Sequence, residues 1–213
     1  MKYIKKTAEP PFFAVDTYGL TTWDQYQSRK KRKLKKYILE NEQHWLCCYC
    51  EKKITLDFNS SHVEHIKPKS SDPINLTFNY NNLLVSCEGN HYNEIGDNRK
   101  NTCGQFKLQN FDENLFLNPT VVANIHEYFL FDFEGIISPS DFDKPKAKYT
   151  CDILNLNGAN NKLAEARKIS RKALIKSFGK LPPSDYKKKL NLILAKDDIE
   201  FITFLRYVFR NYR

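Results

Sequence analysis

Leu46-Cys47-Cys48-Tyr49-Cys50-Glu51 and, a short loop later, His62-Val63-Glu64-His65-Ile66-Lys67-Pro68-Lys69-Ser70 are the stretches on which the reading of this chain turns. Cys47 and Cys50 form a C-x2-C pair, and two thiolates at that spacing can grip one tetrahedral ion from a tight turn. Cys87 and Cys103 are available as the other two ligands, although they lie much farther apart than the usual second pair. The expectation is a structural Zn2+ held by Cys47, Cys50, Cys87 and Cys103. The alternative is a set of buried free thiols, since free cysteine is among the most buried residue types. Cys48 could compete with its neighbours for the ion, and Cys151, in an apolar strand-like setting, reads as plain core.

In the second stretch a carboxylate stands next to an imidazole. The oxygen suits a hard divalent cation such as Mg2+, and the nitrogen suits a proton near neutral pH. On an extended strand Glu64 and His65 point to opposite faces. They converge on one site only if the strand bends or the ion sits off its end.

Outward from this centre, the chain divides into an N-terminal basic helical arm (1–45), a turn-rich segment dense in Cys, His and Asn (46–110), and a C-terminal α+β region (111–213). The arm opens with Pro10-Pro11-Phe12-Phe13, and a helix is expected from about Thr22. That helix carries the run Arg29-Lys30-Lys31-Arg32-Lys33-Leu34-Lys35-Lys36, with Trp23, Tyr26, Leu34, Tyr37 and Ile38 at approximate helical spacing. Such a density of like charge points to a phosphate-facing surface, with Arg29, Lys30, Arg32 and Lys33 as candidate contacts. The middle segment should hold strands and loops with a short helix at its end. Downstream, Tyr128–Phe133 reads as a strand entering a turn at Glu134-Gly135, with Ile136-Ile137-Ser138 returning as its hairpin partner. Helical patterns follow from Asn161, beyond Pro182-Pro183, and through Ile199, Ile202, Leu205, Val208 and Phe209.

Of 213 residues, 34 are Lys or Arg against 25 Asp or Glu, a net charge of +9 that favours a polyanionic partner. Seven glycines and nine prolines exclude collagen-like and linker-dominated chains. No apolar run reaches the roughly 18 residues of a membrane span. Met1-Lys2-Tyr3-Ile4-Lys5-Lys6 leads into no apolar signal core, so a cytoplasmic, reducing location is expected.

The order of motifs resembles the HNH endonuclease superfamily, and most closely the HNH nuclease subunits (PtuB-like) of Septu-type and retron-associated antiphage systems. The features are Cys47-x-x-Cys50-Glu51, His62-Val63-Glu64-His65-Ile66-x-Pro68-Lys69-Ser70, Tyr80-x-Asn82-Leu83-x-x-Ser86-Cys87 and Thr102-Cys103-Gly104-x-x-Lys107. Leu117-Asn118-Pro119-Thr120, Gly135-Ile136-Ile137-x-Pro139 and Ile153-Leu154-Asn155-Leu156-Asn157 extend it over most of the chain. The resemblance implies an α+β fold, mainly helical, around a central ββα-metal (treble-clef-like) finger.

It also implies roles. His65 would be the general base and Glu64 a ligand of a catalytic Mg2+ or Mn2+. Asn82 would be the middle asparagine that holds the loop and orients the base. A third ligand is expected just after the last cysteine, where this chain has Gly104. Gln105 is the first substitute, with His91, Asn93 and Asp97 behind it. Lys67, Lys69 and Lys107 would contact flanking phosphates of DNA or RNA, and cleavage would leave 5′-phosphate and 3′-hydroxyl ends. The implied partner is an ABC/SMC-like (PtuA-like) ATPase that controls when the nuclease cuts; the length and apolar helical faces of residues 111–213, with the N-terminal arm, make that surface the expected docking site. The competing reading is a zinc-stabilised binding or adaptor module whose active site has decayed.

Overall fold

In the computed structural model, which describes residues 1–89, 102–179 and 181–212, the protein is α+β, about half helical, with two small antiparallel sheets. In chain order the elements are α1 (Pro11–Thr17), α2 (Ser28–Ile38), β1 (Ser61–His65), α3 (Pro73–Leu76), β2 (Leu83–Cys87), α4 (Cys103–Lys107), β3 (Phe129–Phe131), β4 (Ile137–Pro139), α5 (Lys144–Leu154), α6 (Lys162–Phe178), α7 (Pro183–Leu194) and α8 (Ile202–Val208). None of the described helices is long and apolar enough to cross a membrane.

The arm differs from its expectation in one place. Instead of a helix from Thr22, a single turn over Trp23–Gln25 is tied off by Gln25 Oε1, which accepts from the Thr21 and Thr22 amides at 2.8 and 3.0 Å. The backbone then extends through Tyr26 and Gln27 before α2 begins. The break lets the Tyr26 ring bury edge-on against Phe13 and Phe78. Leu34 and Ile38 of α2 face the core, and left-handed His44 and Trp45 turn the chain into the cysteine segment.

That segment folds as a knuckle. A bridge between Leu46 and Lys53 closes it, with Cys47 N–H donating to Lys52 O at 2.8 Å. β1 pairs with β2 in the register Ser61↔Cys87 to His65↔Leu83. The other edge of β2 is filled by the Gln43 amide, which exchanges two 2.8 Å hydrogen bonds with the Val85 backbone, and by Cys48 N–H on Val85 O. Every residue of β2 is therefore buried. The expected short helix closes the segment as α4.

The β3–β4 hairpin forms where the sequence places it. Cys151 lies on helix α5 rather than a strand, and packs against the core. In α6 the basic residue Arg167 is buried while Ile169 is half exposed. The guanidinium caps the carbonyls of Gly135 and Leu156 at 2.9 and 2.6 Å, which offsets its burial with hydrogen bonds. Ile202, Leu205, Val208 and Phe209 join one contiguous core with Met1, Ile4, Leu34, Leu83 and Leu154. The apolar face of α8 thus closes this chain's own core.

Candidate active site

The knuckle, the end of β2 and the start of α4 bring Cys47, Cys50, Cys87 and Cys103 together. All four are buried and their sulfurs lie within 4.8 Å of one another. All six cysteines are free thiols. Burial pushes the Cys103 thiol well up, and Cys103 in turn hydrogen-bonds Cys87, pulling that thiol down to about 6. Cys47 is held well below the ordinary thiol range, against burial, by the neighbouring thiols. Cys48 is buried beside them, and its thiol is raised by that burial. Four sulfurs so placed fit the donor set of a tetrahedral soft or borderline ion. Among the described residues this is the one group of three or more Cys, His or carboxylate residues whose donor atoms all lie close enough together to share an ion.

Near this cluster lies an open cavity of about 450 Å³, lined by His62, Glu64, His65, Lys69, Gly104 and Gln105 among others. Glu64 is 7% exposed. Its Oε1 accepts from the Tyr49 hydroxyl at 3.1 Å and faces Lys107 Nζ at 3.1 Å. Its Oε2 lies 3.4 Å from His62 Nε2. Burial would raise the carboxyl, but the His62 hydrogen bond and the Lys107 charge outweigh it and hold Glu64 below the usual carboxylate range.

His65 ends β1 and packs edge-on against Trp23, with ring centroids 4.7 Å apart. Its Nε2–H donates to the Thr77 carbonyl at 3.0 Å, which leaves Nδ1 as the lone-pair nitrogen. Burial keeps the imidazole below its ordinary range, so it is neutral at pH 7. Asn82 supports this arrangement without touching the ring. Its Oδ1 accepts from Lys67 N–H at 2.8 Å, and its Nδ2 donates to Lys67 O and Leu76 O at 3.0 and 3.2 Å. The loop carrying Thr77 is clamped to the strand end that carries His65.

The motif order does not single out His62. Its Nδ1 lies 2.9 Å from Glu88 Oε1, and although burial disfavours its charge, Glu64 and Glu88 raise it to about 9. A signal for it exists in the sequence: residues two apart on a strand share a face, so His62 accompanies Glu64 more naturally than His65 does. Gly104 lies directly behind this pair, and a Cβ there would overlap Glu64 Oε2 and sit 3.0 Å from His62 Nε2. Gln105 lines the cavity, with its amide nitrogen 2.8 Å from Glu88 Oε2. His91, Asn93 and Asp97 lie outside the described residues.

No protein-family model matches the chain. Two curated proteins do. "Retron Vc95 putative HNH endonuclease" of Vibrio cholerae is 39% identical over 148 residues, which cover 66% of this chain and 65% of that protein. "Retron Ec83 putative HNH endonuclease" of Escherichia coli is 30% identical over 199 residues, 74% of each chain. The chain belongs to the retron HNH endonuclease family.

In this chain the basic candidates sort into two groups. Lys69 is exposed on the cavity rim. Lys67 is half-buried and pairs with Glu113. Lys107 is 1% exposed and donates to the His65 and Ile66 carbonyls besides facing Glu64, so its charge is spent inside the protein. On α2, Lys30 and Lys33 reach Asp16 at 3.4 and 3.7 Å, and Arg29 is exposed. Arg32 instead joins Ser28, Lys31 and Lys35 along a second cavity of about 420 Å³, which shares Trp23, His62 and Val63 with the first.

Proposed function

We propose that this chain is a metal-dependent endonuclease that hydrolyses phosphodiester bonds in DNA or RNA. The observation that carries this reading is a neutral His65 whose Nε2–H is committed to Thr77, beside the buried, ionised Glu64, in one open cavity. The hairpin β1–β2 followed by α4 serves as the ββα-metal finger, and the four cysteines hold Zn2+ that fixes α4 to the knuckle.

A water positioned at His65 Nδ1 gives its proton to the ring as its oxygen attacks phosphorus. The P–O3′ bond breaks, and the departing oxygen takes a proton from solvent. The products carry 5′-phosphate and 3′-hydroxyl ends. Glu64 Oε2 is the carboxylate oxygen left to hold a divalent cation (Mg2+ or Mn2+), which when bound neutralises charge on the phosphate and the leaving oxygen. Asn82 keeps Thr77 in place and so keeps the proton-accepting nitrogen turned from the backbone. Gly104 does not speak for a decayed site, because a side chain there would overlap Glu64.

The names of its relatives support work within a retron system. With the resemblance to Septu-type subunits, this favours an antiphage effector restrained by an ABC/SMC-like ATPase. Incubating plasmid DNA and total RNA with Mg2+ or Mn2+ and either wild type or His65→Ala tests the chemistry. Cleavage by wild type alone supports the reading, and equal cleavage by both sinks it. Host toxicity of the nuclease co-expressed with the ATPase, without phage, would overturn the restraint.

A further inference from the structure

The third ligand position of the HNH pattern is blank in this chain, and the structure offers a physical reason. Alternation along β1 sets His62 and Glu64 on one face, with Nε2 and Oε2 3.4 Å apart. Two donors at that separation can both reach one ion when each bond is roughly 2.0–2.2 Å. The other ring nitrogen of His62 is 2.9 Å from Glu88 Oε1, the carboxylate–histidine arrangement that orients a metal-bound imidazole, and an arriving cation would displace to solvent the proton that Nε2 carries while the ring is charged. Glu88 is itself held by the Gln105 amide at 2.8 Å. That amide nitrogen is a donor and offers an ion no lone pair. The volume a side chain at residue 104 would need is already filled by the His62 and Glu64 head groups. At residue 104 the helix has no room for a ligand, and the place is taken by His62 from the strand.

We infer that His62 Nε2 completes the divalent-cation site beside Glu64 Oε2, with Glu88 and Gln105 positioning it, and that the site takes a first-row ion such as Mn2+ in preference to Mg2+. The inference rests on the proposed role of Glu64 as a ligand. The preference follows from the donors: imidazole nitrogen suits borderline transition ions, whereas Mg2+ favours oxygen and gives up its water reluctantly.

The test uses the full chain loaded with zinc and titrated with Mn2+, without nucleic acid, followed by the electron paramagnetic resonance of the free ion. Wild type should bind Mn2+ in a site that equimolar Mg2+ does not empty. Glu88→Gln should weaken Mn2+ by about 10–100-fold, the range for losing the partner of a ligating imidazole, and His62→Ala by at least as much. The spin-echo spectrum of bound Mn2+ should carry modulation from a directly bound nitrogen in wild type and in His65→Ala, and lose it in His62→Ala. Wild-type affinity in His62→Ala, or a wild-type echo without nitrogen, overturns the inference while leaving Glu64 as a ligand. The wild-type echo decides the matter even if His62→Ala fails to fold. Absence of any Mn2+ binding by wild type removes the Glu64 assignment itself, and this inference with it.

Discussion

His65 and Gly104 are the residues at which single atoms decide the outcome. Removing the His65 imidazole should cost about 10²–10⁴-fold in cleavage, the usual worth of a general base, with nucleic-acid affinity retained. Rate measured under saturating substrate, beside a binding isotherm, checks both halves. Gly104→Ala is the sharper probe. Its added methyl must displace the Glu64 carboxylate, which is locked by Tyr49 and Lys107 and has little room to give. Cleavage should fall at least about tenfold while bound zinc stays at the wild-type level; unchanged cleavage would mean the carboxylate is free to move. At this scale the motif order names Glu64, His65 and Asn82, and the fold brings the first two to one cavity while Asn82 ties Lys67 to Leu76 behind it. The sequence is not legible for His62, whose meaning emerges only when a strand face and the approach of α4 are taken together. Nor does a basic letter at position 107 reveal that its ammonium is buried against a carboxylate.

At the scale of elements, three short devices do what a longer sheet would do elsewhere. A two-stranded hairpin is marginal by itself in water, and here the knuckle, α4 and the Gln43 side chain enclose it. The cysteine cluster should bind close to one zinc per chain. Cys50→Ser, or chelation, should lower the unfolding midpoint, because the binding energy of a structural site is folding energy. Protein free of zinc with an unaltered midpoint would remove the metal from the account. Asn82→Ala breaks three hydrogen bonds across the β1–β2 loop. A stability loss of about 1–3 kcal/mol is expected from the polar groups left behind. Turnover should also fall, with Mn2+ affinity intact, which calorimetry and a metal titration would separate. The hairpin β3–β4 and the short α4 are readable from turn residues. The break after Gln25 is not, since it is set by the burial of Tyr26 among rings distant in sequence.

For the whole molecule, charge distribution matters more than net charge. The run in α2 has basic residues on nearly every face of the helix, so its composition alone does not say which of them line a cavity. In the fold Lys31 and Arg32 run along a cavity adjoining that of His65, while Lys35 beside them is buried and donates to the Ser61 carbonyl at 2.8 Å. Lys31→Glu with Arg32→Glu should weaken nucleic-acid binding and flatten its salt dependence by about one unit of slope for each phosphate no longer neutralised. Lys30→Glu with Lys33→Glu should do so much less, since those side chains already answer Asp16. Equal effects of the two pairs would place the strand elsewhere. The C-terminal helices have a separate hold on the centre. Glu51, the residue after the C-x2-C pair, accepts the Phe201 amide on its carbonyl at 3.1 Å and the Thr203 amide on its carboxylate at 2.9 Å. Those two protons thus sit on a latch whose other end is the cysteine turn. When the turn loosens they should exchange with deuterium sooner, so the slow clock of two amides at the entry to α8 becomes a remote gauge of whether the cysteines are holding their ion.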